Sequence, residues 1–173
     1  MDREELRSVQ GPIKDRYRAN PESALVTLRA QSRMGEGVTC KIETGRALVE
    51  AGLHPATGGD GMSACSGDML LEALAACAGV TLAAVSTSLG IDIQQATIHV
   101  EGDLDFRGTL GVSKDVPVGF QKIRLRFDLH SGASADDLET LIRLTERYCV
   151  VFQTLRTPPE LSITKEVTRT QRS

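Results

Sequence analysis

Four cysteines, Cys40, Cys65, Cys77 and Cys149, are the residues of this chain best suited to chemistry. A thiolate is a nucleophile, a metal ligand and a reversibly oxidisable group. Metal binding has no support in the spacing. There is no C-x-x-C pair, and the three histidines, His54, His99 and His130, lie far apart, so zinc-ligand spacing is absent. In a cytosolic chain such cysteines are more often structural, reactive or redox-active than permanently bridged. Cys77 lies in the middle of a long uncharged run, where a lone thiol usually serves as a small hydrophobe.

The element that must position Cys77 is the stretch SGDMLLEALAACAGVTLAAVSTSLG, residues 66–90, with no charged residue between Glu72 and Asp92. Ser66 is the expected N-cap, Asp68 falls in the first turn where a carboxylate suits the positive helix end, and Gly90 stops the pattern. A helix apolar on nearly all sides is expected to be buried on nearly all sides. A membrane span of ~20 residues would fit its length. However, the run is rich in Ala, Gly, Ser and Thr, carries Glu72 and lacks flanking Lys, Arg or aromatic anchors. A soluble core helix is the expectation.

At 173 residues the chain suits one domain with a proper core. A net charge of −3, 3% aromatic residues and no Trp leave no basic stripe interleaved with stacking residues, which speaks against nucleic-acid binding. The opening MDREELRSVQ is charged from the second residue, does not read as a secretory leader, and gives the expectation of a cytoplasmic protein.

Residues 1–22 are expected to form a helix and arm, with Asp2 and Glu5 at capping-box spacing and Pro12 and Pro21 as breakers. Residues 23–173 form the main domain. From Ala24 to Arg33 the polarity alternates with a period of two, as it does around Cys40 and again over Ala47, Val49 and Ala51. These segments predict an antiparallel meander with glycine turns, in which Cys40 faces the apolar side. Residues 54–65 read as a loop. After Gly90 a strand carries Ala96, Ile98, Val100, Leu104 and Phe106 on one parity, with a bulge expected near Gln94 or Gln95 to absorb Ile91 and Ile93. The clearest strand places Ile123, Leu125, Phe127 and Leu129 inward and Lys122, Arg124, Arg126 and Asp128 outward. Ser134 caps a second helix to Arg147, whose Leu138, Leu141, Ile142, Thr145 and Cys149 fall on one face. Leu161, Ile163 and Val167 predict a last strand. The order β-β-β-α-β-β-α-β defines a two-layer α+β domain: a mostly antiparallel sheet packed on a buried central helix and a second helix.

The cysteines thus divide into Cys40 in a strand, Cys65 before the central helix, and Cys77 and Cys149 on the apolar faces of two helices. At those last two positions the sequence resembles a known family. SGDMLLEALAACAGVTL resembles the central helix of the OsmC/Ohr family (osmotically inducible protein C and organic hydroperoxide resistance protein), where a run of the type PEELLLAALAAC carries the reactive cysteine. ERYCVVFQTL resembles the family's second cysteine segment, of the type EKYCPVSxTL. The resemblance covers roughly residues 24–167 and implies an intertwined homodimer and a thiol peroxidase. It makes Cys77 the peroxidatic and Cys149 the resolving thiol, with an organic hydroperoxide as substrate. A dithiol reductant, such as a lipoyl-bearing protein, would recycle the pair, with no metal or bound cofactor. The family's activating arginine maps to Arg33, with Arg46 behind it, because a buried thiol needs help to ionise. The family's glutamate maps to Gly67, and neighbouring Asp68 either holds the arginine or caps its helix. Ser66 and Val150 stand where the family often has prolines, as in the OsmC-like branch. The alternative reading is a non-enzymatic OsmC-like module that binds an apolar small molecule or senses redox state.

Overall fold

The computed structural model of the chain describes residues 2–20, 31–34, 39–43 and 48–167. Helix α1, Arg3–Ala19, opens on the expected capping box. The backbone N–H groups of Glu4 and Glu5 donate to Asp2 Oδ1 at 2.8 and 2.9 Å, and Asp2 N–H donates to Glu5 Oε2 at 2.9 Å. Pro12 lies inside this helix and does not end it, contrary to the sequence expectation. The Arg3 guanidinium reaches the glycine at the far end of the central helix, where a cation suits the negative end of the helix dipole.

Strands β1 (Gln31–Met34), β2 (Thr39–Glu43) and β3 (Leu48–Gly52) form the antiparallel meander, with Ser32 opposite Ile42 and Cys40 opposite Ala51. The upstream part of the expected first strand, residues 24–30, lies outside the described residues. A 3-10 turn at Pro55–Thr57 and a short strand β4 (Ala64–Cys65) interrupt what reads in sequence as a plain loop. β4 pairs parallel to β3 and hands the chain directly to helix α2, Ser66–Leu89. Its N-cap is Cys65 rather than Ser66, without a side-chain cap hydrogen bond. Asp68 occupies the first turn, and Gly90 takes the left-handed conformation (φ 73°) that lets its N–H close the last turn.

β5 (Gln95–Leu104) and β6 (Phe120–His130) make a long antiparallel pair, joined through a one-turn helix α3 (Phe106–Thr109). Ile91 and Ile93 precede β5, so no bulge forms at Gln94 or Gln95. The irregularity falls instead at Asp103/Leu104, and Phe106 belongs to α3. As the alternation predicts, Ile98, Val100, Ile123, Leu125 and Phe127 pack inward on α2. Outside, Arg124 bonds Glu101 and Asp103 across the strands. The described strands therefore form two sheets, one four-stranded and one two-stranded, rather than one continuous sheet.

Helix α4 (Ala135–Tyr148) is capped by Ser134, whose hydroxyl accepts from Asp137 N–H at 3.2 Å and donates to Asp137 Oδ2 at 2.7 Å. Leu141 and Thr145 are fully buried. The chain then breaks at Cys149 and restarts as α5, Val150–Arg156, a helix the sequence reading did not foresee. Residues 157–167 form no strand, and Leu161, Ile163 and Val167 are 86%, 97% and 71% exposed. The expected last strand is therefore absent from the single chain. Among the described residues no strand pairs with this segment.

The burial of α2 also departs from expectation. Only the stripe Leu74, Ala78, Leu82 and Ser86, spaced four apart, is buried against the β5–β6 pair, α4 and α5, whereas Val80 is 73% exposed. Among the described residues the buried positions of this helix lie on that one stripe.

Candidate functional site

The thiols of Cys77 and Cys149 meet in the core. Cys149 is 1% exposed and forms the centre of the apolar cluster with Leu74 and Ala78, and half-buried Cys77 packs against that cluster. Two local features bring them together. Cys77 lies three residues after Leu74, on the edge of the buried stripe of α2. Cys149 is at once the C-cap of α4 and the N-cap of α5, held in extended backbone (φ −72°, ψ 106°) with its N–H donating to Thr145 carbonyl at 2.9 Å. That break turns the first N–H groups of α5 towards the sulfurs. α5 is fixed in turn by Gln153 Nε2, which donates to the Glu146 carbonyl at 2.8 Å, and by an Arg156–Glu146 ion pair. Cys65, Cys77 and Cys149 are all free thiols.

The two thiols are electrostatically unlike. Burial pushes Cys77 up, but the backbone N–H of Val151, the Cys149 thiol, the Thr81 hydroxyl and the backbone N–H of Val150 all bond to its sulfur and together bring it below the ordinary thiol value. For Cys149, burial is the leading influence and pushes its thiol up. The Phe152 N–H opposes it, the bond to Cys77 and the negative charge there push the same way as burial, and the Val151 N–H gives the smallest help in return. The balance favours the thiolate at Cys77, with the Cys149 thiol as donor to its sulfur.

Sequence reasoning asked for a cation beside Cys77. Among the described residues none contributes to its ionisation, and hydrogen-bond donors do the work instead. Three of them escaped the sequence reading. Val150 and Val151 act through their backbone, which side-chain type does not reveal, and their placement depended on the unforeseen α5. Thr81 stands one turn after Cys77 and was legible in principle as the lone hydroxyl between Glu72 and Ser86. Arg33 has its backbone in β1, opposite Lys41, but its side chain lies outside the described residues, as do Arg46 and the side chain of Cys40. Asp68 lies in the first turn of α2, nine residues before Cys77 and hence roughly 13 Å away along the axis, so within one chain the two do not meet. Asp68 and Cys65 instead border a cavity of about 490 Å³ walled by Leu53, Leu71, Phe106 and Phe120.

A two-layer α+β fold built on a central helix, with one thiol on that helix and a second at a helix break beside it, is the architecture of a defined class. The profile of the OsmC-like protein family matches residues 58–164, and the chain belongs to this family. An OsmC-like protein of Mycoplasma pneumoniae is similar in structure, with a TM-score of 0.65 at 18% identity over 77% of this chain and 89% of that one. An organic hydroperoxide resistance protein, OsmC, of Legionella pneumophila (TM-score 0.60, 18% identity, 77% of this chain and 91% of that one) shares the fold. So does an organic hydroperoxide resistance protein of Elizabethkingia anophelis, with a TM-score of 0.60 at 18% identity over 78% and 91%. No curated protein matches the sequence.

Proposed function

We propose that this protein is a thiol peroxidase that reduces organic hydroperoxides through Cys77 and Cys149. The observation that carries the reading is the pairing of two free thiols in one apolar cluster, with the acidity of one lowered and of the other raised. The Cys77 thiolate attacks the terminal oxygen of R–O–O–H. The S–O bond forms as the O–O bond breaks, and the alkoxide takes a proton and leaves as ROH. Cys77 is then a sulfenic acid. The Cys149 sulfur attacks it, a disulfide forms, and the hydroxyl departs with the Cys149 proton as water. A dithiol reductant, for which a lipoyl-bearing protein is the family's example, returns both thiols. The apolar wall of Leu74, Ile98, Val151 and Phe152 favours an alkyl hydroperoxide over small, strongly hydrated hydrogen peroxide. A cytosolic setting, where thiols are kept reduced, suits this cycle.

The working unit in this reading is a homodimer. The open face of α2 around Val80 and the bare apolar positions Leu161, Ile163 and Val167 are what a second copy would cover. Arg33 would then serve the Cys77 of the other subunit, and Asp68 would hold that arginine or cap its own helix. The test is peptide mapping after one equivalent of cumene hydroperoxide: a Cys77–Cys149 disulfide is expected, with Cys40 and Cys65 unmodified. Pairing of Cys65 with either thiol would move the redox centre to the start of α2 and overturn the assignment.

The cavity beside Cys65 and Asp68 favours the second reading, an OsmC-like module that binds an apolar small molecule without turnover. A protein that binds such a molecule but leaves every hydroperoxide unreduced would be of this kind.

A further inference from the structure

We propose that the cavity at the start of α2 is a ligand site separate from the thiol pair of the same chain. It takes an uncharged apolar molecule with one hydrogen-bond acceptor, which His54 recognises. The inference deepens the second reading above by naming the class of ligand and the residue that selects it, and it holds whether or not the thiols turn over hydroperoxide. At about 490 Å³ the cavity has the size of a small-molecule pocket, roughly three times that of an apolar cavity that holds benzene. Cys65, on its wall, stands twelve residues before Cys77, hence roughly 18 Å away along the helix axis.

The space is built into the backbone. The Phe120 ring lies against two glycines: a Cβ on Gly102 would come within 2.6 Å of it, and a Cβ on Gly67 within 3.5 Å. The ring is thus drawn back to where other residues would carry a side chain, and the room beyond it stays open. Leu53, Leu71, Leu104 and Phe106 add apolar wall. A charged group among them would lose its water without gaining a partner, and an anion would also meet the Asp68 carboxylate on the lining. The fit is therefore to an uncharged molecule.

Against those walls His54 is a polar group held in fixed geometry. Its ring stacks on Phe106, with centroids 4.9 Å apart and planes inclined by 20°. Its Nδ1 accepts from the Ala56 N–H at 3.0 Å and so caps the turn Pro55–Thr57. A neutral imidazole that accepts at Nδ1 carries its proton on Nε2, so the nitrogen left over is a donor. Among the described residues that N–H has no acceptor. His54 lines the cavity, and a carbonyl or hydroxyl oxygen on the ligand supplies the missing partner. Apolar walls with one oriented donor are what give a small-molecule pocket its selectivity.

The probe is Prodan, a neutral naphthalene bearing a ketone, whose emission moves to the blue in dry surroundings; the chain has no Trp to interfere with it. Saturable binding to the full-length protein is expected. Competition against Prodan then gives the affinities of 2-acetylnaphthalene and of 2-ethylnaphthalene, which has a similar shape without the oxygen. His54→Phe keeps the stack on Phe106 and removes the donor. It should lower the ratio of the first affinity to the second by about three- to tenfold, a change that a merely structural loss would not make. If His54→Phe does not fold, His54→Asn, which keeps an acceptor for the Ala56 N–H and withdraws the ring, serves in its place. Iodoacetamide labelling followed by peptide mass spectrometry locates the ligand, since saturating 2-acetylnaphthalene should slow alkylation of Cys65. Absence of saturable binding, unprotected Cys65, or an affinity ratio unchanged in the His54 variant overturns the proposal. Because no hydroperoxide takes part, this result stands apart from the peroxidase reading, which fails separately if the wild-type protein shows no turnover.

Discussion

Cys77 and Cys149 carry the same functional group, and their surroundings divide the labour. Hydrogen-bond donors converge on the Cys77 sulfur and outweigh its burial, while Cys149, 1% exposed, is pushed up by burial and by the charge next to it. A folded-state value below that of an unfolded thiol means that Cys77 loses its proton at lower pH in the native protein. Alkylation of Cys77 should therefore rise at lower pH than that of an ordinary thiol, and alkylation of Cys149 at higher pH. The sign for stability follows. The ionised Cys77 stabilises the fold above the unfolded thiol value, and that contribution is lost as pH falls through its lowered native value. Peptide-resolved alkylation from pH 5 to 10 checks the order. Cys149 reacting first would contradict it. Cys149→Ser should still permit one turnover and leave Cys77 as a sulfenic or higher acid, visible as added oxygen in the intact mass.

At the scale of elements, α2 organises the domain through one stripe. Leu74 is 1% exposed at the centre of the core cluster, so Leu74→Asp would bury an unpaired carboxylate at a cost of several kcal/mol, comparable with the whole stability of a domain. Soluble protein with native circular dichroism and an unchanged Tm would show that this face is not buried. Gly102 is a second constraint. A Cβ there would lie 2.6 Å from the Phe120 ring and 3.2 Å from Leu71, so Gly102→Ala should destabilise by about 1–3 kcal/mol, measurable by urea denaturation. These elements were legible because their signals are local. The alternation of residues 122–129, the Ser134 cap and the uncharged run of α2 each point to one structure. The misses were of another kind. Propensity made Pro12 a breaker, yet α1 continues through it. The α5 run VVFQTLR is rich in β-branched residues and reads poorly as a helix, but Gln153 and Arg156 tie it to the end of α4. In α5, contacts override local preference. The two cysteines were legible only through motif resemblance, since nothing local announces that α4 breaks at Cys149 to aim N–H groups at a sulfur.

As a whole molecule, the single chain leaves apolar surface without cover: one face of α2, and the alternating residues Leu161, Ile163 and Val167. These are the positions that the proposed dimer would cover. Sedimentation at micromolar concentration is expected to give a stable dimer, and Val80→Glu to weaken it. A stable wild-type monomer would reject the dimer and, with it, any role for Arg33 or Asp68 across an interface. The central claim concerns the chemistry itself. The most direct measurement is steady-state consumption of cumene hydroperoxide and of hydrogen peroxide by the wild-type protein and by Cys77→Ser, each with a dithiol reductant. The expected result is faster consumption of the organic hydroperoxide by the wild type and none above background by Cys77→Ser. Wild-type turnover surviving in Cys77→Ser, or no turnover by the wild type with any hydroperoxide, would contradict it.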